Sequence, residues 1–251
     1  MTRNNCTARS VAGLVILAVL VVSPMLSQVA VRIGGGIGIV SPTSDFGGTS
    51  SEYYSGSRYG LNSGFNVHGK AKLGLAGWDL SGELGYSSLG GNGYSEPGQG
   101  SVDMTTNILS LKIGPELRIA IPAFPATPYI GAHVAMNRFS GETTFQGVSK
   151  VPSATYSVRA ATRLGAGLTL GAEVDLGPGM FPDLSVSYNL MNLSGREWSD
   201  ANPGVDQRLD TYVSLNDAPD PQYAVADDKH IVAGERSIQS LRFTVSILFG
   251  L

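Results

Sequence analysis

Ser240-Leu241-Arg242-Phe243-Thr244-Val245-Ser246-Ile247-Leu248-Phe249-Gly250-Leu251 is the stretch that decides the fold. Leu241, Phe243, Val245, Ile247, Phe249 and Leu251 share one parity, with Ser240, Arg242, Thr244, Ser246 and Gly250 between them. A period of two is a β-strand with one apolar face and one mostly polar face. In water, a long strand of this kind leaves an apolar edge that invites aggregation. In a bilayer the pattern is stable if lipid meets the odd face and a polar interior meets the even one, and about 9–11 residues then cross the hydrocarbon core. The run is long enough.

The same alternation recurs upstream. It predicts strand 1 over 28–40 and strand 2 over 61–75. Strand 3 starts at Trp78, strand 4 at about Asp103 and strand 5 near Ile130. Strand 6 covers 155–176, strand 7 carries Leu184, Val186, Tyr188 and Leu190, and strand 8 runs from Arg236 onward. Ala76-Gly77 makes a two-residue turn, and Leu75 and Trp78 flank it on the same face, as a hairpin of that length requires. Gly177-Pro178-Gly179-Met180 is a second turn, and two prolines mark a third over 121–127. Polar, glycine-rich stretches at 41–60, 88–102, 140–154 and 193–235 are expected to be loops, so long and short connections alternate around eight strands. Pro115 lacks the N–H that a closed ring needs, so a bulge or local break is expected at Gly114-Pro115.

Composition supports an all-β chain. The 33 glycines are costly in helices and useful in turns and close approaches. The formal net charge of −3 argues against nucleic acid as a partner. Arg3 and Arg9 precede an apolar run over 11–22, which is shorter than the ~20 residues of a membrane helix; residues 1–27 therefore read as a secretory signal peptide rather than an uncleaved anchor. Loss of 1–27 removes Cys6, the single cysteine, and leaves fifteen basic residues against twenty acids. Residues 28–251 then form one exported domain without disulfides.

Sidedness follows from the alternation. Trp78 and Phe249 fall on the lipid face near the short turns, and Tyr86, Tyr156 and Tyr188 on that face near the loops, where amphipathic rings suit the water–lipid interfaces. The inward set holds Arg32, Lys70, Lys72, Lys112, Arg118, Arg159, Arg163 and Arg242 with Asp79, Glu83, Glu116, Glu173, Asp175 and Asp183. Eight strands enclose so little space that side chains nearly fill it, and opposite charges there should pair because an unpaired buried charge costs several kcal/mol. A plugged polar lumen is expected.

With Leu111-Lys112-Ile113-Gly114-Pro115-Glu116-Leu117, Pro128-Tyr129-Ile130-Gly131-Ala132, Ser187-Tyr188-Asn189-Leu190-Met191-Asn192-Leu193 and the terminal strand in view, the chain resembles small outer-membrane β-barrel proteins of the OmpA/OmpX type, often described as porin-family proteins. The resemblance covers about 28–251. It implies an eight-stranded antiparallel up-and-down transmembrane barrel in the outer membrane of a Gram-negative-type bacterium, surrounded by lipid, with short periplasmic turns and longer outer loops. It also implies a last strand read by the barrel-insertion machinery; Phe249-Gly250-Leu251 departs from the aromatic ending usual there.

Chemical motifs are weak. Gly64-Phe65-Asn66-Val67-His68-Gly69-Lys70-Ala71 nearly matches a phosphate-binding loop, but Ala71 supplies no hydroxyl and the strand pattern continues through it. His68, His133 and His230 are not at metal-ligand spacing. The acidic stretch 193–235 lacks a spaced calcium-loop pattern. No catalytic residue, cofactor or metal is assigned. The expected role is a monomeric, structural or interactive one, in which the loops, chiefly 194–235, contact a surface or envelope partner. The rivals are a narrow passive porin for small solutes, a lipid-modifying hydrolase using His133 as base, and a soluble lipocalin-like barrel, which would need an apolar interior and a polar exterior.

Overall fold

The computed structural model describes residues 30–75, 77–96, 98–122, 125–199, 209, 212–221 and 234–251. The expected signal peptide, and His230, lie outside them. Eight strands follow in order: β1 (Ala30–Ser44), β2 (Gly64–Leu75), β3 (Trp78–Tyr94), β4 (Ser101–Arg118), β5 (Ala126–Gln146), β6 (Ala154–Val174), β7 (Met180–Ser194) and β8 (Ile238–Gly250). One short helix, α1 (Ser50–Tyr54), lies between β1 and β2. Each strand pairs antiparallel with its sequence neighbour, and β1 pairs with β8 from Arg32↔Gly250 to Ser44↔Ile238, which closes the ring. Gly34 is required at that seam, since a Cβ there would lie 1.9 Å from the Ile247 carbonyl oxygen.

The wall is apolar outside and charged inside over its lower part. Ile33, Ile37, Leu84, Leu111, Val134, Leu168, Leu184 and Val245 are exposed on the outer face, while Arg32, Lys70, Lys72, Glu83, Glu173 and Arg242 are buried. This is the sidedness the alternation requires of a lipid-embedded barrel.

Three departures from the sequence expectations, and the outcome at Pro115, have physical causes. First, the expected loops 88–102 and 140–154 are mostly strand. β3 continues to Tyr94, β4 begins at Ser101, β5 reaches Gln146 and β6 begins at Ala154, so the connections shrink to 95–100 and 147–153. The inward phase persists through both stretches in Leu89, Val102, Met104, Thr143 and Phe145, all buried. Second, the register of β5 with β6 shifts between Phe139↔Ala161 and Gly141↔Val158, so that Arg159 and Ala160 together face Ser140. A bulge of this kind reverses which residues of β6 point inward. Tyr156, expected at the lipid interface, therefore turns inward and packs against the core beside Phe145, with ring centroids 6.2 Å apart. Third, of the bulge or local break expected at Gly114-Pro115 the structure has the break: β4–β5 pairing passes from Ile113↔Val134 to Glu116↔Gly131 in unchanged register, and β3 still pairs Leu80 with Pro115. Gly114 allows the close approach, because a Cβ there would sit 1.9 Å from the Ala132 oxygen. Fourth, Asp175 is exposed at the β6–β7 turn, where its carboxylate accepts a bond from the Gly177 N–H at 2.8 Å.

α1 has a local signal in Thr49-Ser50-Ser51-Glu52. The Thr49 hydroxyl accepts from the Glu52 N–H at 3.2 Å and the Glu52 carboxylate accepts from the Thr49 N–H at 2.8 Å, a reciprocal capping box. The helix turns Tyr53 and Tyr54 into the barrel mouth, where both are buried.

Candidate functional site

The interior divides into two zones. Toward the short turns, eleven of the fourteen inward charges predicted from sequence come together. Arg32 binds Asp79 at 2.8 Å and also pairs with Glu173. Lys72 reaches Glu116 at 2.6 Å, Glu173 at 2.5 Å and Asp183 at 3.0 Å. Lys70 lies 3.0 Å from Asp183 and 3.3 Å from Glu116, and Arg118 lies 3.4 Å from Asp79. Arg242 grips Glu83 with both guanidinium nitrogens, while Lys112 is 3.8 Å from Glu83 and donates to Asn189 Oδ1 at 2.8 Å. Tyr129, on the same inward row, sits at the centre. Its hydroxyl donates to Asp183 at 2.7 Å and its ring lies 3.9 Å from Lys72 Nζ. The parity it shares with Gly131 and His133 was the available signal.

Asp79, Glu116 and Glu173 also bring carboxylate oxygens within 4.8 Å of one another, a spacing that could hold a cation. Arg32, Lys72 and Arg118 already supply the positive charge there. The grouping is an ion-pair network.

Two predicted residues stand apart. Arg163 is buried near the loops, where Asp217 binds it at 2.8 Å and Glu197 at 3.2 Å. Arg159 is exposed, because the bulge lifts it out of the inward row; its guanidinium donates to Ser199 Oγ and its backbone N–H to the Val213 oxygen. Trp78, Tyr86, Tyr188 and Phe249 are exposed on the outer wall.

Toward the loops the interior is apolar. Val40, Phe46, Leu89, Val102, Met104, Ile108, Phe139 and Phe145 form one cluster with Tyr53, Tyr54, Tyr59, Tyr212 and Leu215 from the connections. Tyr212 stacks on Tyr54 at 6.4 Å and lies 5.0 Å from Phe145, so the long β7–β8 connection reaches into the mouth. Burial pushes the Tyr53 hydroxyl up to about 12, against a smaller opposing effect of its bond with Thr143. Burial likewise raises Tyr59, whose hydroxyl donates to the Leu215 oxygen at 2.7 Å. Asp217 ties this connection down. Burial alone would raise its carboxyl, but bonds from Arg163, Asn192 and the Glu197 N–H outweigh that and hold it below the usual aspartate value of 3.8.

The candidate base His133 meets Asn189 Oδ1 at 3.2 Å. A nearer approach to nucleophile chemistry is Ser246 Oγ at 2.8 Å from His68 Nε2, with His68 Nδ1 at 2.9 Å from Asn66 Oδ1. All three are more than nine-tenths buried in the packed lumen. A reacting carbonyl would need space beside the serine, so the arrangement works as a satisfied hydrogen-bond chain.

No curated protein matches the sequence. Three solved structures similar in outline are neisserial surface protein A (11% identity, 87% of this chain and 96% of that one, TM-score 0.48), Ail, the attachment invasion locus protein of Yersinia pestis, in complex with the heparin analogue sucrose octasulfate (14%, 89% and 97%, 0.38), and the N-terminal β-barrel domain of Pseudomonas aeruginosa OprF (10%, 88% and 97%, 0.38). The model of the outer membrane protein beta-barrel domain family matches residues 12–211. With that match over most of its length and eight strands closed into a ring with an apolar outer wall, the chain belongs to this family of bacterial outer-membrane β-barrel proteins.

Proposed function

We propose that this protein is a non-conducting, non-enzymatic barrel that holds its outer loops as a binding surface for a partner at the cell envelope. The observation that carries the reading is the double filling of the lumen: an ion-pair network around Lys72 and Tyr129 at one level, and an aromatic core sealed by Tyr212 at the next. A solute would have to separate buried ion pairs and then displace packed rings, and each step is costly. What remains for interaction is the loop end, where residues such as Arg58, Tyr94 and Arg159 are exposed. Loops on rigid scaffolds commonly carry recognition.

Planar-bilayer recording tests this. Purified protein should insert without discrete conductance steps. Steady single-channel openings would favour the narrow-porin reading instead.

A further inference from the structure

We propose that a small cavity under α1 and segment 212–215 binds a carboxylate of about the size of acetate. This goes beyond the reading above and holds whether or not the lumen conducts. Apolar Met104, Phe139 and Leu215 line the cavity together with Thr143, Ser214 and Arg236. It leaves about 30 Å³ for the centres of water-sized molecules, room for about two waters or one group of that bulk.

Two groups call for an anion. Ser214 is 6% exposed and its hydroxyl has no hydrogen-bond partner. Arg236 is one of four buried arginines among the described residues. Arg32, Arg163 and Arg242 each meet a carboxylate, at Asp79, Asp217 and Glu83. Arg236 does not. Its Nε and Nη2 donate to the carbonyls of Leu215 and Asn216, its guanidinium lies 4.1 Å from the centre of the Tyr59 ring, and Nη1 has no partner among the described residues. Carbonyls and a ring satisfy donors but carry no formal negative charge, and a buried charge that touches no counter-ion is costly. Water would satisfy Ser214 and leave that charge in place. A carboxylate satisfies both, accepting from the Ser214 hydroxyl and from the planar arginine while its methyl group meets Met104 and Phe139.

The test uses the full chain in lipid nanodiscs, titrated with sodium acetate and followed by NMR chemical shifts or calorimetry. Acetamide, the neutral isostere, and methylammonium serve as controls. Acetate should give a saturable response that both controls lack. Arg236→Gln should abolish it, but that change also removes bonds holding segment 215–216. Ser214→Ala decides, because it deletes a hydroxyl with no protein partner; it should leave the fold intact by heat-modifiable gel mobility and weaken acetate about tenfold. Absence of saturation, an equal response to acetamide, or acetate binding unchanged by Ser214→Ala would overturn the proposal.

Discussion

The two ends of the barrel interior are built on opposite chemistries. At the turn end, lipid-facing apolar residues surround buried ions such as Lys72, Glu173 and Asp183. At the loop end the alternation inverts: Leu89, Val102, Met104, Phe139 and Phe145 point inward, and Asn92, Asp103 and Glu142 point out. β5 and β6 each run 21 residues, about twice what a tilted strand needs to cross a bilayer. The inversion marks where the wall leaves hydrocarbon. Below it, a polar interior is tolerated because the outer face satisfies lipid; above it, water bathes the outer face and the interior must supply an ordinary hydrophobic core. The soluble-barrel pattern that sequence set against the membrane one is thus realised, in the extension alone.

That contrast predicts different responses to mutation. Lys72→Met removes a cation shared by three carboxylates, each of which keeps at least one other partner, and should cost about 3 kcal/mol in urea unfolding from lipid vesicles. Pairing it with Glu173→Met should recover part of that loss, since a removed pair leaves less uncompensated charge. Additive losses would argue that packing, not charge, holds the turn end. Leu89→Ala at the loop end should cost about 3 kcal/mol through its cavity, with little dependence on salt. A strong salt dependence would blur the distinction.

Smaller effects should come from the latch on the β7–β8 connection. Because the Asp217 carboxyl is held below 3.8, its contribution is fully present above that value and is lost as pH falls through the depressed folded value. Hydrogen exchange in segment 212–217 should therefore stay slow from pH 7 to 5 and quicken only in stronger acid, while the turn end stays protected. Asp217→Asn should quicken it at neutral pH, at a cost of about 2 kcal/mol. Loosening already at pH 6 would point to a different group.

Most of the ring was legible in sequence because alternation is local. Each transmembrane strand, the Leu75↔Trp78 register and eleven of the fourteen predicted inward charges could be read from parity alone. The loop-end extension was not, because polar outward residues and Gly90, Gly91 and Gly93 erase the apolar stripe that identifies a lipid-facing strand. The positions of Tyr156 and Arg159 depend on a bulge whose cause is the register across two strands, which no single stretch encodes. Asp217 lies in a connection with no periodicity and Arg236 just ahead of the last strand, which begins two residues after its expected start, and only the fold brings them to Arg163 and Tyr59. Thr49 and Glu52 were readable as a capping box.

The central claim is that the interior is sealed from both ends. Single cysteines in a Cys6→Ser background, probed with a charged, membrane-impermeant maleimide, test it most directly. Tyr94→Cys, at a position 69% exposed, should label rapidly, and Ser246→Cys, at a position 3% exposed midway along the lumen, should stay unlabelled until the protein is unfolded. Rapid labelling of Ser246→Cys in the folded barrel would contradict the account.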